Sequence, residues 1–254
     1  MNNHPTYKYD MIAVEGIDGA GKNTMARYIE ALLHVSGRHA QVLSFPMYDS
    51  PTGKLLLGHL KGEWHTVNAN APRGEIPSWT ADQVERDMLV RQGLMTINRY
   101  AEVPRMIELR AQGVALILDR WTDSSRAYGK AEGLSPELIE AISSCLPVPP
   151  LSFLLDIDPK VGRARRPGPP RDLNEGDLAK LARARHEYLA LYNKPPTREE
   201  MARGVNRSGV DDGHLGRSHE KARPPFLAPG AICRGALSTH CAHLVISTLL
   251  WFAL

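Results

Sequence analysis

The chain has 254 residues, of which 43% are hydrophobic and 23% are charged, and this composition excludes a disordered or collagen-like protein. The formal net charge of +3 is too small to indicate nucleic acid as a partner. The 3 cysteines are odd in number and lack the spacing of a metal site, which predicts a reducing compartment. Since the sequence shows neither a signal-peptide pattern nor an apolar run of about 20 residues, we expect a cytoplasmic protein that does not enter a membrane.

Apolar runs that alternate with helical patterns predict an α/β fold. Along the chain, strands are predicted over 9–15, 40–45, 114–119 and 151–156, and helices over 23–35 and 82–110, the second with Pro104 as a candidate kink. Short and fully apolar strands of this kind are typical of a parallel sheet that is buried on both faces. We therefore expect a doubly wound parallel sheet in a three-layer α/β/α arrangement, with its chemistry at the carboxyl ends of the strands.

A change in composition predicts a boundary near residue 193. The double proline Pro195-Pro196 ends the preceding helix, and the whole net charge of +3 belongs to residues 194–254. Residues 203–229 show no helical or alternating apolar period, whereas 243–250 fit a late strand or helix. We expect one α/β domain over 1–193, followed by an atypical and partly disordered extension over 194–254.

The turn between the first strand and the first helix carries the strongest motif. Its sequence, Gly16-Ile17-Asp18-Gly19-Ala20-Gly21-Lys22-Asn23-Thr24, fits the pattern G-x-x-x-x-G-K in the strand-to-helix context of a P-loop. Glycines allow backbone N–H groups to surround phosphate oxygens, the helix N-terminus adds partial positive charge, and Lys22 reaches the β- and γ-phosphates of a nucleotide. The alternative is a glycine-rich turn without a ligand.

Asn23 stands where this motif has Ser or Thr, whose hydroxyl holds Mg²⁺. The side-chain carbonyl oxygen of Asn23 can take that place, and Thr24 beside it offers a hydroxyl. The phosphate cradle itself does not depend on this position.

Five segments, in order along residues 9–193, resemble the thymidylate kinase family of P-loop nucleoside monophosphate kinases. They are the P-loop with the Asp inside it, residues 45–55 (FPMYDSPTGKL), Asn98-Arg99-Tyr100, Asp119-Arg120-Trp121 with Ser124, Ser125 and Tyr128 after it, and Asp172-Leu173-Asn174-Glu175. The resemblance implies the reaction of ATP with dTMP to give dTDP and ADP, with ATP and Mg²⁺ as cofactors. It also implies a homodimer, while the sequence itself leaves the oligomeric state open.

The resemblance assigns roles to single residues. Asp18 would accept a hydrogen bond from the 3′-hydroxyl of dTMP, in part through Mg²⁺, and Arg120 would bind the dianionic dTMP phosphate. Arg99 would donate hydrogen bonds to the thymine base. Further expected contacts are Phe45 beside the nucleotide, Tyr128 against the 2′ position of the sugar, Ser125 near the base, and Asp119 on a Mg²⁺-bound water. For each of these, a structural role in the core, in an ion pair or as a helix cap is the alternative.

Two places differ from the family pattern. Met95 stands where the family stacks a Phe on thymine, and its thioether packs on a base with less area than a ring. Met47 and Tyr48 stand where the family has an Arg for the dTMP phosphate, and Tyr48, like Met95, is expected at the substrate. These differences leave open a kinase for another deoxynucleoside monophosphate, and Asn23 leaves open a non-catalytic nucleotide-binding protein.

A catalytic arginine is expected from a lid over about 163–175. The residue after Asp18 is Gly19, so the P-loop offers no arginine, whereas the Gly/Pro-rich lid has Arg163, Arg165, Arg166 and Arg171. We predict that Arg166 or Arg171 acts together with Lys22 and Asp18; the alternative is a solvated arginine run.

Overall fold

A parallel sheet organises the computed structural model, which describes residues 10–61, 63, 81–165, 177–193 and 232–234. The lid residues Arg166 and Arg171, the 172–175 segment and most of 194–254, with the predicted 243–250 element, lie outside the described residues. Along the sheet the strand order is β2-β3-β1-β4-β5, and each described pairing is parallel. The strands are β1 (Met11–Glu15), β2 (Ala40–Ser44), β3 (Ala115–Asp119), β4 (Leu151–Asp156) and β5 (Ile232–Arg234).

Helices connect the strands and cover the sheet, which confirms the predicted doubly wound α/β fold. The described helices are α1 (Lys22–Val35), α2 (Pro51–Leu60), α3 (Ala81–Ala111), α4 (Thr122–Ala131), α5 (Pro136–Ser143), α6 (Pro159–Ala164) and α7 (Leu178–Tyr192). Pro104 lies inside α3, which continues past it. None of the helices in the described ranges is both long and apolar enough to span a membrane.

Successive side chains of β1 point to opposite faces of the sheet and therefore belong to two separate parts of the core. Ile12 and Val14 pack with α1 and α7 residues in one apolar cluster, whereas Met11 and Ala13 pack with Phe45, Trp121 and others in a second. All five residues of β1 are buried, as expected of a central parallel strand with helices on both sides.

The strand register brings candidate site residues to one edge. Val14 of β1 pairs with Asp119 of β3, and Glu15 pairs with Leu154 of β4. The P-loop and the turn that contains Arg120 therefore leave the sheet side by side.

One part of the predicted extension belongs to this sheet. Ile232 pairs with Leu154, so β5 adds a parallel strand beside β4. Three residues are too short to give a periodic pattern, so the sequence alone does not predict this strand. The division of the chain near residue 193 stays a prediction.

Candidate active site

The P-loop connects β1 to α1 through three glycines with positive φ. Gly16, Gly19 and Gly21 have φ values of 142°, 78° and 93°, a region that residues with a Cβ rarely adopt. Gly21 is the N-cap of α1 and offers no side chain to the first-turn N–H groups. An anion is the natural partner for such groups.

Lys22 begins α1 and is held over this turn. Its side chain is buried, and Nζ donates a hydrogen bond to the Ile17 carbonyl at 2.9 Å. Asn23 and Thr24 follow on the exposed side of the first turn, while Ala20 is buried. The turn thus connects a strand to a helix through positive-φ glycines, and the ammonium group of Lys22 is folded back onto it.

Asp18 and Arg120 connect the P-loop to the β3–α4 turn. Arg120 Nη2 donates to Asp18 Oδ1 at 2.5 Å, and Nη1 donates to the Gly16 carbonyl at 3.0 Å. The Arg120 guanidinium also lies 5.3 Å from the centroid of the Tyr128 ring, within cation–π range. Three residues that the resemblance placed around one substrate therefore lie together.

Glu15 is a buried acid at the base of the site that the sequence analysis did not single out. Its Oε1 accepts a hydrogen bond from the Trp121 backbone N–H at 2.7 Å, and its Oε2 accepts from Ser124 Oγ at 2.6 Å and from the Tyr188 hydroxyl at 3.1 Å. Burial, followed by the nearby charge of Asp123, raises the pKa of Glu15 above its ordinary value. The one sequence feature that could have indicated Glu15 is its position directly before Gly16, the first glycine of the P-loop.

Arg99 joins α3 to α4. It is 3% exposed, and its Nη1 donates to Ser125 Oγ at 2.8 Å and to the Met95 carbonyl at 3.3 Å. Its Nε is buried and has no hydrogen-bond partner among the described residues. Burial lowers the pKa of Arg99 to about 10, so the group remains charged at neutral pH. A buried donor of this kind suits a carbonyl acceptor on a ligand.

The same face of α3 carries two further polar side chains that sequence analysis missed. Gln92 and Thr96 stand seven and three residues before Arg99, which places them on neighbouring helical positions. Gln92 Oε1 and Thr96 Oγ1 are buried without a partner in the described part of the chain. Such atoms are costly unless a ligand or water satisfies them.

Asn98 holds the segment that follows β2. Its Oδ1 accepts from the Met47 N–H at 2.8 Å, and its Nδ2 donates to Ser50 Oγ at 3.0 Å, to Thr52 Oγ1 at 3.1 Å and to the Met47 carbonyl at 3.3 Å. The Asn98 side chain is fully buried. It therefore fixes the start of α2, whose N-cap is Ser50.

The aromatic and methionine candidates divide between two clusters. Phe45 is buried and packs edge-on against Trp121, with ring centroids 4.8 Å apart. Tyr48 and Met95 each pack against a small cluster of Leu56, Leu60 and Leu94 from α2 and α3. Contact of Phe45, Tyr48 and Met95 with a nucleotide stays a prediction.

The start of the predicted lid touches the P-loop. A Cβ on Gly19 would lie 2.2 Å from the Gly162 carbonyl oxygen, and a Cβ on Gly162 would lie 2.4 Å from the Asp18 oxygen, so only glycines fit at this contact. Arg165 Nη1 donates to the Gly19 carbonyl at 3.3 Å. Arg163 and Arg165 are the lid arginines that the structure describes.

Asp119 ends β3 at the same edge of the sheet, half-buried, with its backbone carbonyl accepting from Phe45 N–H at 2.9 Å. In the described ranges, no group of three or more His, Cys, Asp or Glu side chains could hold a metal ion. The carboxylate of Asp119 and the exposed amide of Asn23 are oxygen donors of the kind that Mg²⁺ takes, and Mg²⁺ keeps several waters and substrate phosphates as its other ligands. The chemistry of this donor set therefore fits Mg²⁺ better than a metal held by protein alone.

Comparison with known proteins gives a consistent result. The family model described as thymidylate kinase matches residues 14–201. The chain is 34% identical over 189 residues to a thymidylate kinase of Xanthomonas campestris pv. campestris, covering 72% of this chain and 73% of that protein. It is 32% identical over 193 residues to one of Deinococcus radiodurans, covering 74% and 84%. A solved structure of a thymidylate kinase from Candida albicans matches its fold, with a TM-score of 0.53 and 24% identity over 71% of this chain and 76% of that one.

Asn98 provides a first test of the site. Replacing it with Ala removes four hydrogen bonds and leaves buried groups of the 47–52 segment unpaired, so we expect Asn98→Ala to lower the free energy of unfolding by about 2–4 kcal/mol. Urea denaturation followed by circular dichroism measures this change.

Thr96→Val is the matched control, because Thr96 lies on the same helix and is also buried. Its hydroxyl has no partner among the described residues, so replacement by an apolar isostere should be neutral or stabilising, within about 1 kcal/mol. Equal losses of stability in the two variants would contradict the holding role of Asn98.

Proposed function

The chain belongs to the thymidylate kinase family, and on that premise we propose that it transfers the γ-phosphoryl group of ATP to dTMP, giving dTDP and ADP. One observation carries the residue assignment: the contact between Asp18 of the P-loop and Arg120 of the β3–α4 turn, at 2.5 Å. It joins a phosphate cradle to a second anion-binding group at the carboxyl edge of a parallel sheet, where ligands of such folds bind.

The P-loop is the ATP side of the proposed site. Residues 16–24 would surround the phosphates with backbone N–H groups, and Lys22 would exchange its contact with the Ile17 carbonyl for the β- and γ-phosphates. When bound, Mg²⁺ would neutralise charge on the phosphate oxygens. Asn23 and Asp119 would hold it.

Arg120 and Arg99 define the dTMP side. Arg120 would bind the acceptor phosphate, a dianion that competes with the Asp18 carboxylate for the guanidinium. Arg99, held by Ser125 Oγ at 2.8 Å, would direct its remaining donors at the base. Tyr128 would limit space at the 2′ position of the sugar.

The transfer itself requires little proton chemistry. An ionised oxygen of the dTMP phosphate forms a bond to the γ-phosphorus, and the bond from that phosphorus to the β–γ bridging oxygen breaks to release ADP. The site therefore acts by positioning two anions in line and by neutralising their charge. Lys22 and a lid arginine are the groups proposed for this task.

A coupled ADP-release assay on the full chain tests the function. We expect turnover that depends on both ATP and dTMP, and a loss of about 100-fold or more in Lys22→Met, because a charged group at the developing phosphoryl charge is removed. Activity with another deoxynucleoside monophosphate in preference to dTMP would favour the alternative raised by Met95 and Met47. ATP binding without turnover for any monophosphate would favour a non-catalytic protein.

The lid arginines are tested one at a time in the same assay. We expect Arg166→Ala or Arg171→Ala to lower kcat by about 10²- to 10³-fold, because an arginine on the transferring group stabilises the transition state. Arg163→Ala and Arg165→Ala serve as controls, with a smaller expected effect. If all four variants keep the wild-type rate, no lid arginine is catalytic.

We further propose a cytoplasmic homodimer. Val90, Ile97 and Ile107 are large apolar residues on α3 that are 41%, 52% and 59% exposed, and an apolar helix face of this kind suits a second copy of the chain. Sedimentation velocity should show a dimer for the wild type and a shift towards monomer for Ile97→Glu. A wild-type monomer at all concentrations would contradict the dimer and leave the catalytic proposal unchanged.

A further inference from the structure

Tyr188 lies on α7, far along the chain from both the P-loop and the β3–α4 turn, yet its hydroxyl reaches the base of the site. Its one hydroxyl proton has two acceptors within reach, Glu15 Oε2 at 3.1 Å and Ser124 Oγ at 2.7 Å, while the Ser124 hydroxyl itself donates to Glu15 Oε2. Tyr188 is 1% exposed and Glu15 is 0% exposed. Neither residue has a place in the proposed contacts with ATP or dTMP, so their interaction requires another explanation.

The Glu15 carboxylate fixes the backbone next to Arg120. Its Oε1 binds the N–H of Trp121, the residue after Arg120, while the N–H of Arg120 itself donates to the Val14 carbonyl at 3.0 Å. Arg120 has a φ of 68°, a left-handed conformation that a residue with a side chain keeps only where its surroundings enforce it. The hydrogen bonds on both sides of Arg120 supply that constraint.

Tyr188 approaches Arg120 by two routes. Its ring packs edge-on against Tyr128 with centroids 6.2 Å apart, and the Tyr128 ring lies under the Arg120 guanidinium. Its hydroxyl bonds Glu15 and Ser124, and Ser124 Oγ also lies 3.4 Å from Arg120 Nη1. A variant that lacks only the Tyr188 hydroxyl therefore loses the hydrogen bonds to Glu15 and Ser124 and keeps the ring contact with Tyr128.

We propose that Glu15 and Tyr188 are positioning residues that hold the β3–α4 turn so that the Arg120 guanidinium faces the acceptor phosphate. Two donors on Oε2 keep the buried carboxylate oriented, and the carboxylate keeps Trp121 and Ser124 in place. Helix α7 thereby sets the geometry of a residue that it does not touch directly through a hydrogen bond. This inference rests on the proposed function, because that function assigns the acceptor phosphate to Arg120.

Tyr188→Phe tests the inference with the ring contact retained. Loss of a hydrogen bond to a charged group should raise KM for dTMP about tenfold, with KM for ATP changed less than about twofold. Calorimetric titration with dTMP should show the same weakening in its dissociation constant. The split between the two substrates is a readout that a purely structural role would not produce.

Tyr192→Phe is the matched control on the same helix. Tyr192 is also 1% exposed, and its hydroxyl donates to Asp123 Oδ2 at 3.0 Å, one helical turn from Tyr188. We expect this variant to leave both KM values within about twofold of the wild type, while its melting temperature measures the cost of losing a buried tyrosine hydroxyl. Equal dTMP effects in the two variants would overturn the proposal.

A double-mutant cycle shows whether Tyr188 acts through Arg120. In an Arg120→Ala background, Tyr188→Phe should add no further rise in KM for dTMP, since the positioned group is gone. Fully additive effects would overturn the proposal. A wild type without dTMP-dependent ADP release, or an Arg120→Ala variant with unchanged KM for dTMP, would instead contradict the proposed function, so the two failures are distinguishable.

Discussion

The buried carboxylate of Glu15 is the constraint on which the site depends. A carboxylate without contact to water must receive hydrogen bonds from the protein, and in this chain the donors come from three different places: the Trp121 backbone, the Ser124 hydroxyl and the Tyr188 hydroxyl. β1, the β3–α4 turn and α7 therefore have one relative arrangement that satisfies the acid. The P-loop begins at the next residue, so the phosphate cradle has the same anchor as Arg120.

The ion pair between Asp18 and Arg120 is a second interaction that orients residues of the site. Their side chains are 20% and 15% exposed, so the pair stands at the border between the core and the site. Without an anionic ligand, Asp18 gives the guanidinium a partner and keeps it oriented over Tyr128. A phosphate dianion offers the guanidinium a stronger partner than a carboxylate, and its arrival would release Asp18 to accept a hydrogen bond. Under the proposed function, one ion pair thus prepares both groups for the same substrate.

The sequence predicted those features that depend on neighbouring residues. β1, α1 and the loop between them follow from an apolar run, a glycine pattern and a helical period within residues 9–35, and the fold follows from repetition of such units. Glu15 and Tyr188 are separated by 173 positions, and Asn98 binds Met47 across 51, so no local pattern records these contacts. β5 has only three residues and is defined by its pairing with β4. The sequence therefore could not predict contacts between residues far apart in the chain. The hydrogen bonds by which Asn98 holds the start of α2 are among them.

The described residues on either side of 166–176 are both connected to the P-loop region. On the N-terminal side, Gly162 packs directly on Asp18 and Gly19, and Arg165, at the start of the predicted lid, donates to the Gly19 carbonyl. On the C-terminal side, α7 begins at Leu178 and is tied through Tyr188 to Glu15, the residue that precedes Gly16. The chain thus leaves the P-loop and returns to an element anchored at the base of that loop. Since Gly162 and Gly19 leave no room for a Cβ between them, a shift of the P-loop on binding phosphate would displace the backbone of α6 as well.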